Sequence, residues 1–201
     1  MLDAANGEPK WTYRLGDSVA GAAPALADLD DDGLPEIVVQ GGKLHVVKYG
    51  TGEMPGWPVP VCPLASGCGG GNSAPVIGDL DGDPNMEIAV VTGLAGSGEW
   101  GYLNLFDQTG RRKIFRGPVM MPIAEGRVPA IADVDGDGHN ELLVGSVAGS
   151  NADHPSLYVF DFSRDRPEVR HGPVLWGQFG GNPEHTNRAP AVAPAIGFEP
   201  T

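Results

Sequence analysis

The 201-residue chain is long enough to bury one good core, and its formal charge of −13 argues against gripping nucleic acid phosphates or inserting into an anionic membrane. Its 31 glycines and 19 prolines would suggest disorder if they had no period. They recur instead as punctuation between short apolar runs, and no window of a dozen residues keeps a helical apolar period free of them, so an all-β fold with almost no α-helix is expected.

In chain order, Met1-Leu2-Asp3 leads straight into Ala4-Ala5-Asn6-Gly7, which is not a signal peptide; an exported form would have lost its signal or carried it upstream. Leu2 to Gly7 followed by Lys10-Trp11-Thr12-Tyr13-Arg14-Leu15 matches Leu105 to Gly110 followed by Lys113-Ile114-Phe115. Residues 1–21 therefore read as the back half of a repeat whose front half is missing. Three related segments follow: AAPALADLDDDGLPEIVV, SAPVIGDLDGDPNMEIAVV and RVPAIADVDGDGHNELLVG. Counting each loop from its first aspartate, acids stand at positions 1, 3, 5 and 9. They are Asp28, Asp30, Asp32 and Glu36; Asp79, Asp81, Asp83 and Glu87; Asp133, Asp135, Asp137 and Glu141.

Four carboxylates within nine residues repel one another, whereas a hard cation such as Ca²⁺ takes six to eight oxygens at about 2.3–2.6 Å. An acidic hairpin without metal is the alternative reading. Each loop is opened by an apolar stretch with proline (Pro24, Pro75, Pro129) and closed by a β-rich run such as Ile37-Val38-Val39. It is thus a strand-to-strand turn. An EF-hand would be helix-loop-helix, with its bidentate Glu at position 12.

Asp28 and Asp79 are 51 residues apart and Asp79 and Asp133 are 54, the period of a propeller or solenoid unit. Later landmarks recur too: a glycine turn at Tyr49-Gly50-Thr51-Gly52 and at Phe106 to Gly110, then Gly56-Trp57-Pro58-Val59, Gly117-Pro118-Val119 and Gly172-Pro173-Val174. Each repeat carries four apolar runs, as a four-stranded propeller blade does. Blades are expected at 22–61, 73–122 and 127–180 within one segment, 1–187, before a tail at 188–201. In the first, strands are expected near 23–28, 36–40, 43–49 and 56–61.

These three A/V-P-x-x-x-D-x-D-x-D-G-x-x-E segments resemble FG-GAP/VCBS repeats, the calcium-loop blades of integrin-α-like β-propellers, in their bacterial secreted form. The resemblance covers residues 1 to about 187. It implies side-chain ligands at positions 1, 3, 5 and 9 and the carbonyl at position 7, here Leu34, Asn85 and His139, holding two to three Ca²⁺. Position 6 is Gly33 and Gly138 but Pro84 in the second loop, where a φ fixed near −65° must turn the chain differently. The second loop is therefore set apart from the other two as a calcium site. Three blades and a half do not close a propeller, so a longer polypeptide or another subunit is expected to complete it.

Cys62 and Cys68 are the only cysteines, and five residues between them do not make a zinc knuckle; a local disulfide is favoured. A disulfide and calcium loops suit an oxidising, calcium-rich place: extracellular, cell-surface or periplasmic. For catalysis the sequence offers little. The histidines at 45, 139, 154, 171 and 185 form no metal motif, and His139, at loop position 7, is expected to face solvent. Glu184-His185 could pose as an acid/base pair; Ser18 lacks a nucleophile elbow; the runs Gly69–Gly71 and Gly93–Gly98 precede no helix that could cradle phosphate. Trp11, Trp57 and Trp176 are expected to pack between blades, and Trp100 to be exposed. The leading expectation is a non-catalytic, calcium-stabilised module for adhesion, assembly or binding of protein or carbohydrate. The alternative is a polysaccharide lyase or hydrolase on a propeller scaffold, for which Arg111, Arg112, Lys113 and Arg116 would have to converge on a pocket with a histidine.

Overall fold

The apolar runs between the acidic turns become short antiparallel strands. A computed structural model describes residues 5–17, 23–62, 68–83, 85–94, 100–113, 119–122, 128–145, 157–163, 169–178 and 181, and no α-helix occurs among them. The first sheet contains β1 (Ala25–Ala27), β2 (Glu36–Gln40), β3 (Lys43–Lys48) and β4 (Gly52–Glu53) in that order, with β5 (Val59–Pro60) also paired to β3. β1, β2, β3 and β5 fall on the four extended runs expected between residues 23 and 61, whereas β4 is an additional short strand. The second sheet holds β6 (Gly69–Asn72), β7 (Val76–Gly78), β8 (Glu87–Leu94), β9 (Gly101–Asp107) and β10 (Val119–Met121). The third is β11 (Ala130–Ala132), β12 (Glu141–Gly145) and β13 (Leu157–Asp161).

One register recurs. Ala27 pairs with Glu36, Gly78 with Glu87, and Ala132 with Glu141, so each acidic loop is the turn between a first and a second strand, and its ninth residue opens the second strand.

The second sheet lies in the middle, with both faces covered. Val38, Leu44 and Val46 of the first sheet meet Ile77, Ile88, Val90 and Phe106 of the second. The alternate positions Val76, Ala89, Val91, Leu103 and Leu105 face Ile131, Leu142 and Val144 of the third. A strand covered on both faces reads as a continuous apolar run, as β8 and β9 do. Burying each Val, Leu, Ile or Phe contributes about 1.5–3 kcal/mol.

Polar side chains fix how the first two sheets meet. Gln40 donates to the Val91 carbonyl at 3.2 Å and to Thr92 at 2.7 Å, and Trp57 Nε1 donates to the Gln108 carbonyl at 3.2 Å. Gly56 has φ +91°, and a Cβ there would collide with the Thr109 carbonyl oxygen, so the turn before Trp57 meets the turn after β9 backbone to backbone.

Two arrangements differ from the sequence expectation. Val174–Trp176, expected as the last strand of the third repeat, is β14, and it pairs with β7 at the edge of the second sheet. Trp176 and Leu175 pack into the core shared by the first two sheets. At the other end, residues 10–15 form no named strand. Trp11 stacks on Tyr13 and meets Tyr49 edge-on, and Trp11, Tyr13 and Leu15 lie over Ile37, Val39 and Val47 on the outer face of the first sheet.

Candidate metal centres

The three acidic loops share the hydrogen bonds made by positions 5 and 9, while the aspartate at position 1 accepts from a different pair of backbone N–H groups in each. In the first, Asp28 accepts from the backbone N–H groups of Asp32 and Gly33, at 3.1 and 2.8 Å. In the third, Asp133 accepts from Gly136 and Gly138, at 2.7 and 3.0 Å. In the second, Asp79 accepts from Asp81 and Gly82, at 3.2 and 2.7 Å. The aspartate at position 5 accepts from the N–H of position 7 in every loop: Asp32 from Leu34, Asp83 from Asn85, and Asp137 from His139. The glutamate at position 9 reaches back to the N–H of position 2: Glu36 to Leu29, Glu87 to Leu80 and Glu141 to Val134, at 2.8, 2.8 and 2.9 Å. The aspartate bonds are Asx turns that close within the loop itself.

The backbone is left-handed at two places. Gly33 and Gly138 at position 6 have φ +86° and +92°, the freedom glycine was expected to supply there. Position 4 is left-handed as well, Gly82 and Gly136 at φ +71° and +81°, and in the first loop Asp31 at 58°. The sequence reading overlooked position 4, although a glycine in two copies of three is its trace. Pro84 lies outside the described residues.

The carboxylates of each loop also face one another. Single oxygens of Asp28, Asp30 and Asp32, of Asp79, Asp81 and Glu87, and of Asp133, Asp135 and Glu141 all lie within 4.8 Å of each other. That spread matches oxygens around one central ion at about 2.3–2.6 Å. Glu36 and Glu87 are 1 % and 0 % exposed, and Oε1 of each is buried without an aligned hydrogen bond, with a lysine ammonium near it, Lys48 at 3.7 Å and Lys113 at 3.2 Å. A buried carboxylate oxygen left so is costly unless a cation completes it. The all-oxygen donor set and these buried oxygens fit a hard divalent ion.

The electrostatics carry the same mark. Burial, chiefly, pushes the Glu87 carboxyl up to about 7, with Asp81 adding to it. Burial also raises Glu36, and in the third loop burial with the neighbouring Asp135, Asp137 and Asp133 raises Glu141. A hydrogen bond from Lys48 and one from the Leu34 N–H hold Asp32 below the ordinary carboxylate range. Asp83 is also lowered: its partial burial works the other way, but Lys113 and Asn85 outweigh it.

A strap at residues 169–173 joins the second and third loops. The Gly172 N–H donates to Asp79, the His171 N–H donates to the Gly138 carbonyl, and Asn140 Nδ2 donates to the carbonyls of Asp79 and Gly172. His139, expected to face solvent, is 6 % exposed and meets the His171 ring edge-on at 4.7 Å between centroids. The strap covers it.

Sequence reasoning also missed a buried cluster at His45. Its Nδ1 lies 2.6 Å from Glu53 and its Nε2 3.1 Å from Asp17, tying the N-terminal segment to β3 and β4. Asp17 is 28 residues away in sequence, so no local signal announced the contact.

The other candidates disperse. Arg111 is exposed; Arg112 lies over Phe106 and donates to Asn104 and to the Pro60 carbonyl; Lys113 enters the second acidic loop. No histidine is among these partners, and Arg116 is outside the described residues. Trp57 and Trp176 are buried, while Trp100 is 37 % exposed. Gly69–Gly71 lie in β6, paired with β8. Cys62 and Cys68 are joined in a disulfide. Ser18, most of Gly93–Gly98, Glu184-His185 and the 188–201 tail fall outside the described residues. No protein-family model matches this chain, and no curated protein or solved structure is measurably similar to it.

Proposed function

We propose that this chain is a calcium-stabilised β-propeller segment of FG-GAP/VCBS type, a non-catalytic module for adhesion, assembly or binding of a protein or carbohydrate, working outside the cell or in the periplasm. The observation that carries the reading is the acid at loop position 9. A glutamate buried to 0 or 1 % exposure keeps one oxygen on a backbone N–H and turns the other toward a lysine ammonium, Lys48 at 3.7 Å or Lys113 at 3.2 Å, so that second oxygen stands where a cation is held. Calcium would then be structural: it neutralises the acids and locks the turn that sets the register between first and second strands. In this reading the three sheets are blades, and β1, β7 and β11 are their inner strands.

Two further observations support a binding or assembly module over an enzyme. Arg112 and Lys113 are spent on a contact between sheets and on an acidic loop, and among the described residues no histidine is among their partners. The third sheet presents Leu157 and Val159 at 64 % and 49 % exposure, the open flank of a blade array that more polypeptide or another subunit would cover.

The test is calcium content by elemental analysis, with thermal melts in calcium and in chelator. Calcium should co-purify, and chelation should lower Tm; a bound ion contributes about 2.7 kcal/mol per site at a hundredfold excess over Kd. Protein free of calcium, with a melt indifferent to chelator, rejects the reading.

A further inference from the structure

In each of the first two loops an ammonium group of the same chain stands among the carboxylates. Lys48 Nζ lies 2.6 Å from Asp30, 2.5 Å from Asp32 and 3.7 Å from Glu36 Oε1. Lys113 Nζ lies 2.8 Å from Asp81, against Asp83, and 3.2 Å from Glu87 Oε1. Both lysines thus face loop positions 3, 5 and 9 at once. They come from different settings: Lys48 ends β3, whereas Lys113 follows the turn after β9, its N–H bonded to the Leu105 carbonyl. The buried Oε1 atoms of Glu36 and Glu87 point at these ammonium groups without an aligned hydrogen bond. In the third loop, among the described residues, no lysine or arginine pairs with Asp133, Asp135, Asp137 or Glu141.

Resting on the cation reading above, we infer that Lys48 and Lys113 are resident counter-cations which a divalent ion must displace, so that they set the affinity of the first and second loops below that of the third. A divalent ion bound by these oxygens would stand within a few ångströms of the ammonium, and like charges so close repel strongly outside bulk water. The lysine has to swing out and give up its charge-assisted hydrogen bonds. Side-chain exposures of 25 % for Lys48 and 18 % for Lys113, on flexible four-carbon stems, leave it a way out. Among the described residues none imposes this cost on the third loop, where the Arg170 side chain lies against Gly138 and makes no ion pair with the loop's acids. Loss of metal therefore leaves the first two loops with an internal cation, and these two loops empty first as calcium falls.

The experiment is calorimetric titration of the whole chain with Ca²⁺, for the wild type, Lys48→Met and Lys113→Met, with Lys43→Met as the control that removes one positive charge away from any loop. The wild type should show one tight site and two weaker ones. Each loop variant should convert one weak site to a site about tenfold tighter or more, while Lys43→Met leaves the profile unchanged. A second measurement needs no variant: reductive methylation read by peptide mass spectrometry should label Lys48 and Lys113 slowly in chelator and faster in saturating calcium. Wild-type binding with unchanged affinities in both loop variants, a Lys43→Met effect of equal size, or labelling rates indifferent to calcium overturns the inference while leaving the cation reading in place. If none of the proteins takes up calcium, both fall together.

Discussion

Replacing Glu87 by glutamine separates a carboxylate kept for a cation from one kept for the fold. The side chain is 0 % exposed; Oε2 accepts from the Leu80 N–H at 2.8 Å, and Oε1 stands 3.2 Å from Lys113. The amide oxygen of glutamine can still accept from Leu80, so shape and the turn are kept while the charge is lost. Burial raises the carboxyl from 4.5 to about 7 in the folded chain. Between those two values the folded state holds more protons than the unfolded one. In chelator, the stability this group contributes is therefore fully present below pH 4.5 and is lost as pH rises through about 7. At about 1.4 kcal/mol per unit the swing amounts to roughly 3 kcal/mol. At pH 8 without calcium, Glu87→Gln should thus be more stable than the wild type by up to that amount, about 5 °C or more in Tm. In excess calcium the sign reverses, because the ligand is gone while the wild type gains from the ion. Thermal melts of both proteins from pH 4.5 to 8, with chelator and with calcium, decide it. A variant less stable in chelator across that range, or equal effects in both buffers, refutes the reasoning.

Asp135→Ala should lose up to about 2.7 kcal/mol in calcium-containing buffer, since it removes a ligand at position 3. Asp31→Asn should stay within about 0.5 kcal/mol, and asparagine is the proper control because alanine would be strained at φ 58°; equal Tm shifts would mean that only bulk charge matters. Gly56→Ala should cost about 3 kcal/mol or more by urea denaturation, combining φ +91° with a collision against Thr109, whereas Gly136→Ala, at φ +81° with nothing within 4 Å, should cost about 1 kcal/mol. Similar midpoints would show that the two turns do not meet as described. Thiol labelling of denatured, unreduced protein should find no free cysteine, and Cys62→Ser with Cys68→Ser should cost about 2 kcal/mol for a bridge spanning six residues; two reactive thiols would contradict this.

Most of the first sheet could be read from the chain. Ile37-Val38-Val39 and Leu44 to Val47 lie between turn residues that leave them little but extended backbone, and the pairing of β2 with β3 closes over two residues, Gly41 and Gly42. The third repeat misled for the converse reason. Val174 to Trp176 has the same strand signal as Val59 or Val119, but a strand signal does not name its neighbour. The large apolar face of Trp176 settles against Ile77 and the first-sheet core, almost a hundred residues back, and leaves β13 without a fourth strand among the described residues.

What the sequence determined by itself is whatever closes within about nine residues: the acid spacing, the Asx turns from Asp28, Asp79 and Asp133, the hairpin register at Glu36, Glu87 and Glu141, and the joining of Cys62 to Cys68. Those bonds link near neighbours, so their loop-closure cost is small and composition decides them. Only the tertiary structure decided that Lys48 and Lys113 enter the first two loops, that the 169–173 strap buries His139 and ties Asp79 to Asn140, and that β14 joins the second sheet. Each of these joins groups far apart in sequence, where many partners compete, and burial selects among them once the sheets have stacked.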